Sequence, residues 1–136
     1  MHMETVAKVV TGPVEYFRSQ IEYELTPAAL KRLLEAPTHN VLVVDVRDAS
    51  QFDSGHIPGA RNVPLETLSA SFYTLPKDKA IVACCSDLTC GMSAQAALEL
   101  AQKGFRVQRL IGGFAEWSRR GYAVESSSTP ETSQAW

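Results

Sequence analysis

The chain has 136 residues, 45% hydrophobic and 21% charged, which is enough for one domain with a real core and too few for two ordinary ones. Its net charge of −2, with acids and bases interspersed, argues against a basic field for nucleic acid or anionic lipid, and no apolar run approaches the ~18 residues of a membrane helix. Three cysteines leave any disulfide pairing incomplete, and no basic segment leading into an apolar stretch and cleavage site opens the chain, so a reducing, cytoplasmic setting is expected.

Gly12-Pro13 opens a short predicted helix with Val14, Phe17 and Ile21 on one face. Residues 21–25 alternate apolar and polar like a half-buried strand. Thr26-Pro27 then supplies an N-cap and a first-turn proline for a helix over 28–35. The run Val41-Leu42-Val43-Val44 suits a parallel strand buried on both faces, ending in Asp45-Val46-Arg47 and a polar turn over 48–55. A short apolar piece follows at 60–63, then a second strongly apolar strand at 81–85. Helical spacing through Ala94, Ala97, Leu98 and Ala101 is stopped by Gly104. Residues 105–111 read as another strand. Gly112-Gly113 turns the chain into a last helix carrying Phe114 and Trp117, which Gly121 closes.

Strands alternating with helices predict an α/β domain with a mainly parallel sheet and right-handed crossovers. The expected organisation is an N-terminal segment with a short helix over 1–20, a folded domain over 21–124, and a disordered Ser/Thr/Pro-rich tail over 125–136.

An apolar strand that ends in cysteine and runs through a polar loop into a helix is a physical device for holding an anion. The peptide N–H groups of the loop and the unpaired N–H groups at the helix start can face one sulfur. Cys85 stands at that junction, followed by Ser86, Asp87, Leu88, Thr89, Cys90 and Gly91 and by the helix start at Met92 or Ser93. Neighbouring strand residues face opposite ways, so Cys84 is expected in the core. Cys90 can resolve an oxidised Cys85, accept sulfur from it, or merely line the loop.

Three blocks, DVRDASQFDSGHIPGARNVPL at 45–65, ACC at 83–85 and LIGGFAEW at 110–117, resemble the rhodanese domain, and the resemblance covers about residues 21–124. It implies a central, mainly parallel, five-stranded sheet with helices on both faces, and sulfurtransferase chemistry. In that chemistry sulfane sulfur passes from thiosulfate or a persulfide donor to a thiol, to cyanide, or to a protein acceptor. Residue by residue it implies that Cys85 carries the persulfide and that residues 86–91 hold it, with no cofactor or metal. Asp45, Arg47 and His56 are then structural supports in their turns, and Gly112 and Gly113 permit close approach of two backbones. The loop departs from the common single-domain pattern: a second cysteine stands in it, in a region where many relatives carry an arginine. Recognition of a thiosulfate dianion would therefore fall to backbone N–H groups and to distant cations such as Arg61 or Arg109, with Asp87 opposing it. The two-cysteine loop marks it as a variant of the family.

Other chemistries fit less well. A cysteine phosphatase needs an arginine six positions after the nucleophile, and position 91 is Gly. Zinc spacing is absent, since His2, His39 and His56 make no companion pair for the cysteines. Two rivals stand: a catalytically silent module that binds a partner protein, and a redox switch formed by Cys85 and Cys90.

Overall fold

The two longest apolar runs of the sequence lie side by side as inner strands of a parallel sheet. The structure is a computed structural model, and it describes residues 12–127. In chain order the elements are α1 (Gly12–Tyr23), β1 (Glu24–Leu25), α2 (Pro27–Glu35), β2 (Val41–Asp45), α3 (Ala49–Ser54), β3 (Arg61–Asn62), α4 (Leu68–Ser71) between two single 3-10 turns, β4 (Ala80–Cys84), α5 (Met92–Gln102), β5 (Val107–Leu110) and α6 (Gly113–Arg119). The five strands run in the order β1-β5-β4-β2-β3, every pairing parallel. This is the expected α/β architecture, with β4 in the middle.

Alternation along β4 divides the core in two. Ile81, Ala83 and Cys85 join Val44, Val46, Leu68, Ala96 and Leu100 on the face covered by α4 and α5. Val82 and Cys84 join Val43, Leu30, Leu110 and Trp117 on the face covered by α2 and α6. Successive side chains of a strand point to opposite faces, so this split follows from the sequence alone. Each fully buried Leu or Ile contributes roughly 1.5–3 kcal/mol by leaving water.

Several local expectations need correction. Residues 21–23 do not extend a strand: they finish α1, which crosses the boundary expected at residue 20, and β1 keeps only two residues. A helix already nucleated gains one hydrogen bond per added residue, which outweighs a three-residue alternation. The face of Val14, Phe17 and Ile21 remains largely exposed, because α1 packs against β1 and β5 through its other side. The turn over 48–55 contains α3, capped by the Asp48 carboxylate, which accepts from the Gln51 N–H at 3.0 Å. Asp48-Ala49-Ser50-Gln51 is an N-cap signal that a purely polar reading overlooks. In α5 the buried side consists of Ser93, Ala96 and Leu100, while Ala94, Leu98 and Ala101 are exposed.

At the other end, Glu125 is fixed rather than part of a loose tail. It exchanges backbone hydrogen bonds with His56, and the Ser126 hydroxyl and Ser127 N–H both donate to the Asp53 carbonyl. The remainder of the expected tail, and residues 1–11, lie outside the described residues. Among the described residues no helix is long and apolar enough to cross a membrane.

Candidate active site

Cys85 follows the carboxyl end of the central strand, the place where open parallel sheets present their sites. Its start is clamped from behind. The Phe114 N–H donates to the Cys85 carbonyl at 2.9 Å and the Ala115 N–H to the Ser86 carbonyl at 2.8 Å, so the first amides of α6 hold the opening of the loop. This approach needs Gly113, whose φ is +60°. A Cβ there would sit 2.6 Å from the Cys85 carbonyl oxygen and 2.9 Å from the Ser86 carbonyl carbon.

Within the loop Asp87 organises the turn. Its carboxylate accepts from the Thr89 N–H at 3.0 Å and the Thr89 hydroxyl at 2.9 Å, and its carbonyl accepts from the Cys90 N–H at 3.1 Å. The short Asp side chain satisfying the backbone two residues ahead is a common turn device. The turn returns the chain to its start, with the Cα atoms of Cys85 and Cys90 6.5 Å apart, and the two sulfurs form a disulfide. The Met92 N–H, at the start of α5, points at the Cys90 sulfur from 3.4 Å. The Ser86 hydroxyl lies 3.8 Å from the Cys85 sulfur.

This geometry corrects the simplest expectation for Cys85. The side chain is not a free thiolate facing the loop: it is 1% exposed and packs with Val44, Val46, Ala83 and Ala96, and its sulfur is bonded to Cys90. The loop amides do not all converge on it either, since those of Thr89 and Cys90 are spent on Asp87 and that of Met92 meets the Cys90 sulfur. Cys90 is partly exposed, Leu88 stands out at the surface, and Gly91 is the N-cap residue of α5. Cys84 sits on the other face with its thiol still protonated: burial, reinforced by the Asp45 charge, pushes its pKa well above the ordinary thiol range.

The remaining expected residues gather around this strand end without touching sulfur. Asp45 and Arg47 form a buried ion pair in which the guanidinium Nε and Nη2 donate to the carboxylate at 3.0 and 2.8 Å. Nη2 also donates to the Gly55 carbonyl at 2.7 Å, and the guanidinium stacks 4.5 Å from the Phe114 ring. His56 is buried, stacked on Phe52, with Nδ1 2.7 Å from the Phe52 carbonyl. Both cations suggested for anion recognition make hydrogen bonds elsewhere. Arg61 donates to the Thr74 carbonyl, and Arg109 is held between the Ser93 hydroxyl at 3.0 Å and Glu24 at 3.1 Å. Glu24 is the residue that sequence reasoning missed here. Its signal lies in the pairing, because Glu24 and Arg109 are direct partners in the β1–β5 register. Among the described residues no cluster of His, Cys, Asp and Glu could hold a metal ion.

Comparison with known proteins places this arrangement. Residues 26–120 match the family profile of the Rhodanese-like domain. The chain is 36% identical over 125 residues to the HTH-type transcriptional regulator Rv0324 of Mycobacterium tuberculosis, an alignment covering 92% of this chain and 54% of that protein. It thus spans about half of that relative. It is 34% identical over 90 residues to a protein named Sulfurtransferase in Allochromatium vinosum, covering 65% of this chain and 82% of the relative. Among solved structures, the BH2092 protein of Bacillus halodurans superposes with a TM-score of 0.76 at 33% identity, covering 85% of this chain and 88% of that one.

Proposed function

Because the chain belongs to the rhodanese-like domain family, we propose that it is a sulfurtransferase whose Cys85, once reduced, carries sulfane sulfur as a persulfide. The observation that carries this reading is the S–S unit itself. At the end of β4 the Cys85 sulfur is bonded to a second sulfur that receives the Met92 N–H at the start of α5. The bond shows that the Cys85 sulfur has room to carry a second sulfur, and the start of α5 beside it favours the negative charge that a persulfide bears.

In the first half-reaction the Cys85 thiolate attacks the outer sulfur of a donor R–S–S⁻. The new S–S bond forms as the donor bond breaks, and R–S⁻ leaves with the electron pair. In the second, an acceptor thiolate or cyanide attacks the outer sulfur and regenerates the Cys85 thiolate. While bonded to Cys90, Cys85 can do neither, so activity depends on prior reduction. With Arg61 and Arg109 engaged elsewhere, a persulfide of a small thiol is the better donor than the thiosulfate dianion, and a cytoplasmic setting would keep the pair reduced.

The test uses reduced protein and two donors, glutathione persulfide and thiosulfate, with cyanide as acceptor. Thiocyanate should form faster from the persulfide, and the Cys90→Ser protein should gain the mass of one sulfur on the peptide containing Cys85. If neither donor adds sulfur to Cys85 in either protein, the domain is a silent binding module.

A further inference from the structure

Building on that reading of Cys85, we infer that Cys90 is a resolving thiol that converts the Cys85 persulfide to sulfide, giving the domain a persulfide-reductase activity beside sulfur transfer. The loop is shaped for it. The turn made by Asp87 with Thr89 and Cys90 uses only carboxylate, hydroxyl and backbone groups, so it needs no sulfur–sulfur bond and returns Cys90 to Cys85 in the reduced protein too. The disulfide puts the two sulfurs at bonding distance while the strand end is still held by the Phe114 and Ala115 amides. The Met92 N–H at the first turn of the eleven-residue α5 faces the Cys90 sulfur and favours its thiolate. Cys84 cannot compete, since it is sealed on the opposite face of the sheet.

The step balances as follows. The Cys90 thiolate attacks the inner, Cys85 sulfur of the persulfide. The Cys85–Cys90 bond forms, and the bond from Cys85 to the outer sulfur breaks. The outer sulfur leaves with the electron pair and takes up the proton that Cys90 gave up, emerging as hydrosulfide. The outer sulfur is reduced by two electrons, and the two cysteines are oxidised to the disulfide. A dithiol reductant, a small dithiol or a dithiol protein, then reopens the bond and is itself oxidised to a disulfide. Attack falls on Cys90, because that residue is partly exposed while Cys85 is 1% exposed. Transfer to an external acceptor and release as sulfide are thus two exits from one intermediate, and the abundance of acceptor decides between them.

The experiment takes reduced wild-type protein and Cys90→Ser, frees both from reductant, and gives each a limiting amount of glutathione persulfide without acceptor. Wild type should release one sulfide per sulfur taken up and form one Cys85–Cys90 disulfide. Reopening the disulfide with dithiothreitol, and removing the dithiothreitol before a second portion of donor, should restore one further round of release. Cys90→Ser should hold its persulfide about a hundredfold longer, the advantage that an intramolecular thiol loses when removed. The inference is overturned if wild type keeps its persulfide as long as Cys90→Ser, or if the sulfur is found on Cys90 without sulfide release. Absence of sulfur uptake by both proteins would instead defeat the persulfide reading of Cys85. The wild-type ratio of sulfide to disulfide is read without any substitution, so poor folding of the variant cannot mask the outcome.

Discussion

After β2 the chain buries a charged pair and spends its polar atoms on its own backbone. After β4, one strand away, it joins a buried cysteine to a partly exposed one and leaves the far side of the loop at the surface. The two ends are physically joined, since the Val46 N–H donates to the Cys84 carbonyl at 3.0 Å, and both face the same edge of the sheet. The first is tied into the backbone around it. Asp45 and Arg47 satisfy each other, Gly55 takes a further donor, and Asn62 donates to the carbonyls of both residues. Groups paired in this way hold the shape of the strand end. The second keeps its redox-active atoms in a covalent bond that can be opened without breaking the turn around it. The ion pair and the sulfur pair are thus separated by residue type along one edge.

Substitutions at the two ends should therefore fail in different ways. The largest effect is expected for Cys85→Ser, which should lower thiocyanate formation from glutathione persulfide by on the order of a thousandfold or more. Its stability cost, read by urea unfolding, should be only about 1–2 kcal/mol for a buried hydroxyl. Arg47→Met should behave the opposite way. Leaving the Asp45 carboxylate, 1% exposed, without its partner should cost about 3–5 kcal/mol. Asp45→Asn added to it should recover part of the loss. A mild urea phenotype with lost chemistry for Arg47→Met would erase the contrast between the ends. Gly113→Ala tests the junction: strained φ and a Cβ against the Cys85 carbonyl should cost about 2–3 kcal/mol and slow sulfur loading as well. The smallest effect is an order of labelling. In reduced, folded protein iodoacetamide at mildly alkaline pH should modify Cys90 first and Cys85 next. Cys84, kept protonated by burial, should react only after unfolding, and peptide mass mapping reads this directly.

Much of this was legible in the residues. The apolar runs at 41–44 and 81–85 supply the inner strands Val41–Asp45 and Ala80–Cys84, Thr26-Pro27 caps α2 as its residue types require, and Gly112-Gly113 turns the chain where α6 meets the loop. What sequence reading misplaced depends on partners distant in the chain. Residues 21–23 went to α1 because a growing helix outbids a short alternation, and residue 125 is fixed by its pairing with His56 across the fold. At the site, the role of Asp87 was the hardest to read. A lone acid near a reactive cysteine suggests repulsion of an anion, yet its oxygens face Thr89 and build the turn. The three readings of Cys90 likewise stayed equal, because nothing in a five-residue spacing tells whether the loop doubles back.

The division of β4 between two faces carries a consequence for how this chemistry can change. Parity, rather than composition, selects which thiol meets the loop: Ala83 and Cys85 fall on one side, Val82 and Cys84 on the other. Inserting one residue upstream in that strand would carry Cys84 into the loop-facing place and push Cys85 on into the loop, while leaving hydropathy almost unaltered. Adjacent cysteines therefore make the position a counting device, sensitive to frame where it is indifferent to chemistry, and insertions there should be far less tolerated than conservative replacements.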